Sequence, residues 1–136
     1  MTYRSILLFA LVILVLQAGC AARKDPAVSV AVEDFIAVAQ LEELDKIRTR
    51  NDYSWEYLSE RFISVKTRDG EYLLRFQRRC RELYEVPVQP DIRFEPNLLR
   101  ARFDTIRGCR IDKLYAIEPG QADELRQLGW APGDEP

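Results

Sequence analysis

The chain has 136 residues, 47% of them apolar and 31% charged, with 20 basic and 22 acidic side chains and no histidine. Near-balanced charge gives no whole-protein case for nucleic acid, and the missing imidazole removes Ser-His and Cys-His nucleophile systems and nearly all catalytic zinc sites. The only glycines past residue 19 are Gly70, Gly108, Gly120, Gly129 and Gly133, so there is no phosphate-cradling loop either.

Residues 1–19 read as an export signal that starts as a short helix. Arg4 and the free amine make a positive start, Ile6 to Leu16 carry no charge and no proline, and Gln17-Ala18-Gly19 form a small-residue exit before Cys20. As a helix the apolar run reaches only about 16 Å, roughly half of a ~30 Å hydrocarbon core. Leu16-Gln17-Ala18-Gly19-Cys20 resembles a bacterial lipobox, whose cysteine is diacylated and becomes the new N-terminus. Gln17 departs from that pattern, since an aliphatic residue is usual there and Leu16 stands one place early. The alternatives are an ordinary signal peptide cut between Ala18 and Ala22, and an uncleaved anchor. A doubly acylated Cys20 holds stably at a membrane, where a single chain holds only marginally. Ala21 is not aspartate, and the resemblance to the sorting rule for such lipoproteins then implies the outer membrane.

Removing residues 1–19 takes away one cation, Arg4, and leaves a net charge of −3. The rest is long enough for one domain, with residues 20–32 a lipidated leash, 33–130 the globular part and 131–136 a frayed tail. With Cys20 as the lipid site, Cys80 and Cys109 remain as an even pair in an oxidising space, and a bridge is expected between them. The alternative is a free thiol at Cys80, activated by Arg79 and Arg81.

Past the leash, Asp34 to Leu41 is β-branched and apolar and reads as a strand. Lys46 to Arg50 alternates like an edge strand, ended by Asn51-Asp52. Arg61–Lys66 and Tyr72–Gln77 form a hairpin around Asp69-Gly70, expected as a two-residue type I′ turn that sets Val65 opposite Leu74 and Ile63 opposite Phe76. Alternation places Ile63, Val65, Tyr72, Leu74 and Phe76 on one face and Ser64, Lys66 and Arg75 on the other. Gln77 to Leu83 is a helical turn or an irregular link, and Pro87, Pro90 and Pro96 prevent regular ladders after it. Leu98 to Ile106 fits strand or helix, with the strand favoured at Phe103–Ile106. Ile111 to Ile117 is a strand with Ile111, Tyr115 and Ile117 inward. Pro119, Ala122, Leu125, Leu128 and Gly129 mark a short C-terminal helix, which Trp130 staples down. The expected fold is α+β and mainly antiparallel β, a small curled sheet or barrel-like domain with that helix at its end.

Two groups of side chains can carry chemistry. Arg75, Arg78, Arg79 and Arg81 precede one end of the expected bridge, and Arg107 and Arg110 surround the other, with Arg100, Arg102 and Lys113 nearby. Joined, they would form an anion-binding patch, because guanidinium forks match phosphate and carboxylate oxygens. The competing reading is that Glu71, Glu82, Glu85, Asp104 and Asp112 neutralise them. Glu42, Glu43 and Asp45, or Asp104 and Asp112, are the carboxylates able to form an acid/base pair, and the competing reading is again solvated or arginine-paired charge. No metal site and no cofactor are expected.

Four stretches together carry a family resemblance: Ala31-Val32-Glu33-Asp34-Phe35, Asp45-Lys46-Ile47-Arg48-Thr49-Arg50, Arg78-Arg79-Cys80-Arg81-Glu82-Leu83, and Arg102-Phe103-Asp104-Thr105-Ile106-Arg107-Gly108-Cys109-Arg110-Ile111. They resemble a family of small exported bacterial proteins, often lipoproteins, of uncharacterised function. The resemblance spans roughly residues 31 to 129, implies an envelope location and a paired-cysteine domain, and brings no catalytic residues with it. The leading expectation is a non-enzymatic envelope lipoprotein that binds or scaffolds an envelope protein or anionic polymer at the periplasmic face of the outer membrane. A carboxylate-dependent glycan hydrolase and an uncleaved, signal-anchored assembly factor are the rivals.

Overall fold

The structure, a computed structural model, describes residues 25–50, 53–83 and 97–129. The export segment, Cys20, Trp130, the tail and the three prolines Pro87, Pro90 and Pro96 lie outside the described residues. Among the described residues no helix is long and apolar enough to cross a membrane.

Helix α1 spans Asp25–Ala39 and replaces both the expected leash over residues 25–32 and the strand over 34–41. Val28, Val32, Phe35 and Ile36 recur at helical spacing, and all four pack inward, with Val32 fully buried. Asp25-Pro26 suits a first turn, where proline's missing N–H costs nothing. Val38, one of the β-branched residues that suggested a strand, instead points to solvent at 85% exposure, as does Val30 of the expected leash at 61%. Gln40 ends the helix with a left-handed φ of 50°, and the Leu41 N–H reaches back to the Ile36 carbonyl at 3.3 Å. That is the hydrogen bond of a Schellman stop without its usual glycine.

Eight strands follow among the described residues: β1 Glu43–Leu44, β2 Lys46–Arg48, β3 Tyr53–Ser59, β4 Phe62–Thr67, β5 Glu71–Phe76, β6 Leu98–Arg100, β7 Thr105–Ile106 and β8 Cys109–Ile117. All described pairings are antiparallel. The main sheet runs β1-β8-β5-β4-β3, β7 adds to β8, and β2 pairs β6 separately. The sheets are curled and unclosed. Helix α2, Pro119–Gly129, lies where the sequence placed it, with Ala122 and Leu125 buried.

The β4–β5 hairpin forms, but in another register. Lys66 faces Glu71, Val65 faces Tyr72 and Ile63 faces Leu74, so the loop is four residues, Thr67–Gly70. The Thr67 hydroxyl oxygen accepts the N–H groups of Asp69 and Gly70 at 3.1 and 3.2 Å, while the Gly70 carbonyl takes the Thr67 N–H at 2.9 Å. This side-chain-closed loop leaves Gly70 at φ 158°, almost extended, so the type I′ geometry is absent there. The shift is two residues, so alternation survives and Ile63, Val65, Leu74 and Phe76 still share one core with Ile111 and Leu114.

The opposite face is not a polar one. Phe62 and Leu73 lie there with Tyr115 and Ile117 under the two helices. The sheet is therefore covered on both sides, by α1 and α2 on one and by the β2/β6 pair and the Cys80 segment on the other. Strand β8 serves both cores because its pairing with β5 shifts between Arg75 and Phe76. The bulge turns Ile111 and Leu114 to one face, and Tyr115 and Ile117 to the other. Strand β3, absent from the sequence reading, closes the far edge.

Asp25 fixes where α1 begins. Its Oδ1 accepts the Tyr57 hydroxyl and the Glu60 N–H, both at 2.7 Å. Removing that carboxylate takes away both hydrogen bonds, including the acceptor of the Glu60 amide, so Asp25→Ala is expected to lower stability by about 1–3 kcal/mol. A urea midpoint unchanged from wild type would contradict this anchoring role.

Candidate arginine-rich surface

The segment after β5 is held by backbone bonds. The Gln77 N–H donates to the Arg110 carbonyl at 3.1 Å, the Cys80 N–H to the Glu60 carbonyl at 2.6 Å, and Leu83 closes a short turn of 3-10 helix, Arg81–Leu83, onto Cys80. From the other side, Arg107 and Gly108 take φ values of 49° and 77°, the two left-handed residues that a type I′ turn requires. That tight turn between β7 and β8 sets Ile106 opposite Cys109. It brings Cys109 to disulfide distance from Cys80, with the Cα atoms 6.1 Å apart and both side chains fully buried.

Around this pair stand four of the six expected patch residues, Arg78, Arg79, Arg81 and Arg107. Arg78 forks onto Glu82 at 2.7 Å, and this hydrogen bond holds the Glu82 carboxyl below its usual range. Arg79 and Arg81 approach opposite oxygens of Glu60, at 3.3 and 3.8 Å. Arg107 donates to the Glu82 backbone carbonyl at 3.0 Å and lies over the Trp55 ring, 5.7 Å from its centre. Arg110 is exposed on β8 and alternates with buried Cys109 and Ile111, so it lies on the other face of the strand and does not join them. Arg78, Arg79 and Arg81 keep about half or more of their side-chain surface in water and, with Glu82, line an open hollow. Glu60, unnoticed in the sequence, is the carboxylate that ties two of these arginines to the β3–β4 turn.

Arg75 does not belong with them. It points to the helix side, where it grips Asp112 at 2.6 Å and Glu33 of α1 at 3.3 Å. Partial burial works to lower its pKa, but the Asp112 hydrogen bond and the two carboxylate charges outweigh that and raise it. The sequence could place Arg75 on that face, but with α1 read as leash and strand nothing showed what it would meet.

Four of the suggested acid/base carboxylates sit against basic side chains. Asp112 serves Arg75, and Asp104 accepts the Arg100 N–H at 2.7 Å and its guanidinium. Glu43 binds Lys113 at 2.6 Å, while Asp45 is almost wholly exposed beside Arg102. The sulfurs of Cys80 and Cys109 cluster with a Glu82 oxygen, at 3.4 and 3.6 Å. Joined sulfurs have no thiolate to offer a metal, so this group suits a bridge and not an ion.

No curated protein and no solved structure was found to match the chain. A family model does match it, over residues 2–129, and the chain belongs to that family of unknown function, DUF6491.

Proposed function

We propose that the protein is a lipid-tethered module of the bacterial envelope, acylated at Cys20 and facing the periplasm from the outer membrane, where it binds or scaffolds another envelope component without catalysing a reaction. The observation that carries this is the pairing of Cys80 with Cys109, 29 residues apart in sequence and fully buried. Such a pair persists in an oxidising compartment, which is where a leader built like residues 1–19 sends a chain. The remaining cysteine, Cys20, follows that leader directly and is free for acylation. The binding role is supported by the open, arginine-lined surface around the pair.

The test is fractionation. Wild-type protein is expected in the membrane pellet after a high-salt wash, and Cys20→Ser in the soluble or unprocessed fraction, since losing both chains removes stable anchoring. Equal, salt-resistant pelleting of the two with the leader removed from both would contradict acylation at Cys20.

A further inference from the structure

We propose that β3 is a pairing edge for a second copy of this chain, so that two domains join β3 to β3 in an antiparallel dimer whose two-fold axis passes beside Trp55. The inference goes beyond the tether and does not depend on it.

The two edges of the main sheet are unlike. At one, β1 is two residues long and offers little to pair with. At the other, β3 runs for seven residues, Tyr53–Ser59, and among the described residues no strand lies on its outer side. From Tyr53 to Tyr57 it carries no proline, no lysine and no bulge, the usual devices that block an open edge, and a single charge, Glu56.

The neighbouring ladder sets which main-chain groups face outward. The Thr67 N–H donates to the Gly70 carbonyl and the Phe76 N–H to the Arg61 carbonyl, so Ile63 and Val65, between them, also turn their main chain to β5. Ser64 and Lys66 therefore turn theirs to β3, where they oppose Glu56 and Ser54. By the same alternation the N–H and C=O of Tyr53 and Trp55 are directed to the open side.

This edge is close to symmetric about Trp55, reading Tyr53-Ser54-Trp55-Glu56-Tyr57. Turned about a two-fold axis, Trp55 opposes the second copy's Trp55 and exchanges both backbone bonds with it, while Tyr53 opposes the second copy's Tyr57. These rings share one face, half-buried against the Cys80 core, and aromatic pairs opposite one another stabilise a ladder. On the helix side Ser54 opposes the second copy's Glu56, which Arg126 holds at 54% exposure. Lys66, 65% exposed and beside Ser54, stands two strand spacings, about 10 Å, from that same Glu56. A register centred one residue later would set Glu56 against Glu56, like charges whose main-chain groups already face β4. The pattern therefore fits a second copy of itself, in one register.

Sedimentation of the full chain in excess detergent micelles tests this. The contact is smaller than a standard interface, so a dissociation constant on the order of 10 µM is expected. Ser54→Glu sets like charges opposite each other twice per dimer and should weaken association roughly tenfold, whereas Ser54→Lys should strengthen it roughly tenfold. Within one copy Ser54 opposes Lys66, so the same substitutions shift the stability of the monomer in the reverse sense, and a folding effect does not imitate the result. A monomeric mass at every concentration up to about 100 µM would overturn the proposal, as would a dimer on which the two substitutions act in any other way.

Discussion

Replacing Cys80 and Cys109 together by alanine is expected to lower the unfolding free energy by about 3.5 kcal/mol. The bridge closes a loop of 29 residues, and freeing such a loop returns roughly that much chain entropy to the unfolded state. Small domains have only about 5–15 kcal/mol to lose. The bridge also replaces regular structure locally, because it joins a short turn on one side to the Arg107–Gly108 hairpin on the other. Urea unfolding with and without reductant checks it. Reductant should bring the wild type down to the variant and leave the variant unmoved; a difference below 1 kcal/mol would show that the surrounding packing alone holds the two segments together.

The second large effect concerns the two cores. Phe76 and Phe62 are both fully buried, Phe76 with Cys80 and Ile111, and Phe62 with Val32 and Leu125 on the other side of the sheet. Phe76→Ala and Phe62→Ala are each expected to cost about 3–5 kcal/mol, combining lost transfer energy with a cavity. A sheet with one solvent face would give a large loss for Phe76 and almost none for Phe62. Equilibrium denaturation of both variants distinguishes these arrangements.

That second face shows where sequence reading stopped. The period-2 pattern of β4 and β5 was legible, and it survived a two-residue register error because a shift by two leaves every side chain on its own face. The error came from Asp69-Gly70, whose usual turn chemistry was overridden by the Thr67 hydroxyl. Helix α1 was missed because Ile36 and Val38 raise strand propensity locally, whereas the 28, 32, 35, 36 spacing that decides the matter straddles the supposed leash boundary. Without α1, Phe62 and Leu73 had no partner and the outer face looked polar. Strand β3 had a usable signal, with Tyr53, Trp55 and Tyr57 at every second position.

Within the arginine-rich surface, the convergence of the two cysteine segments could be anticipated from cysteine count and compartment. Glu60 could not be, since its role depends on the β3–β4 turn arriving beside Arg79 and Arg81 from twenty residues away. Arg75 sat on the opposite face by alternation from the start, and grouping it with Arg78 and Arg79 followed sequence proximity where the pleat separates them.

Intact-mass measurement of the protein extracted from membranes without reductant bears most directly on the envelope tether. The account predicts a chain beginning at Cys20, heavier by its acyl groups and lighter by the two hydrogens lost between Cys80 and Cys109. A species that still begins at Met1 and carries all three cysteines as free thiols would contradict it.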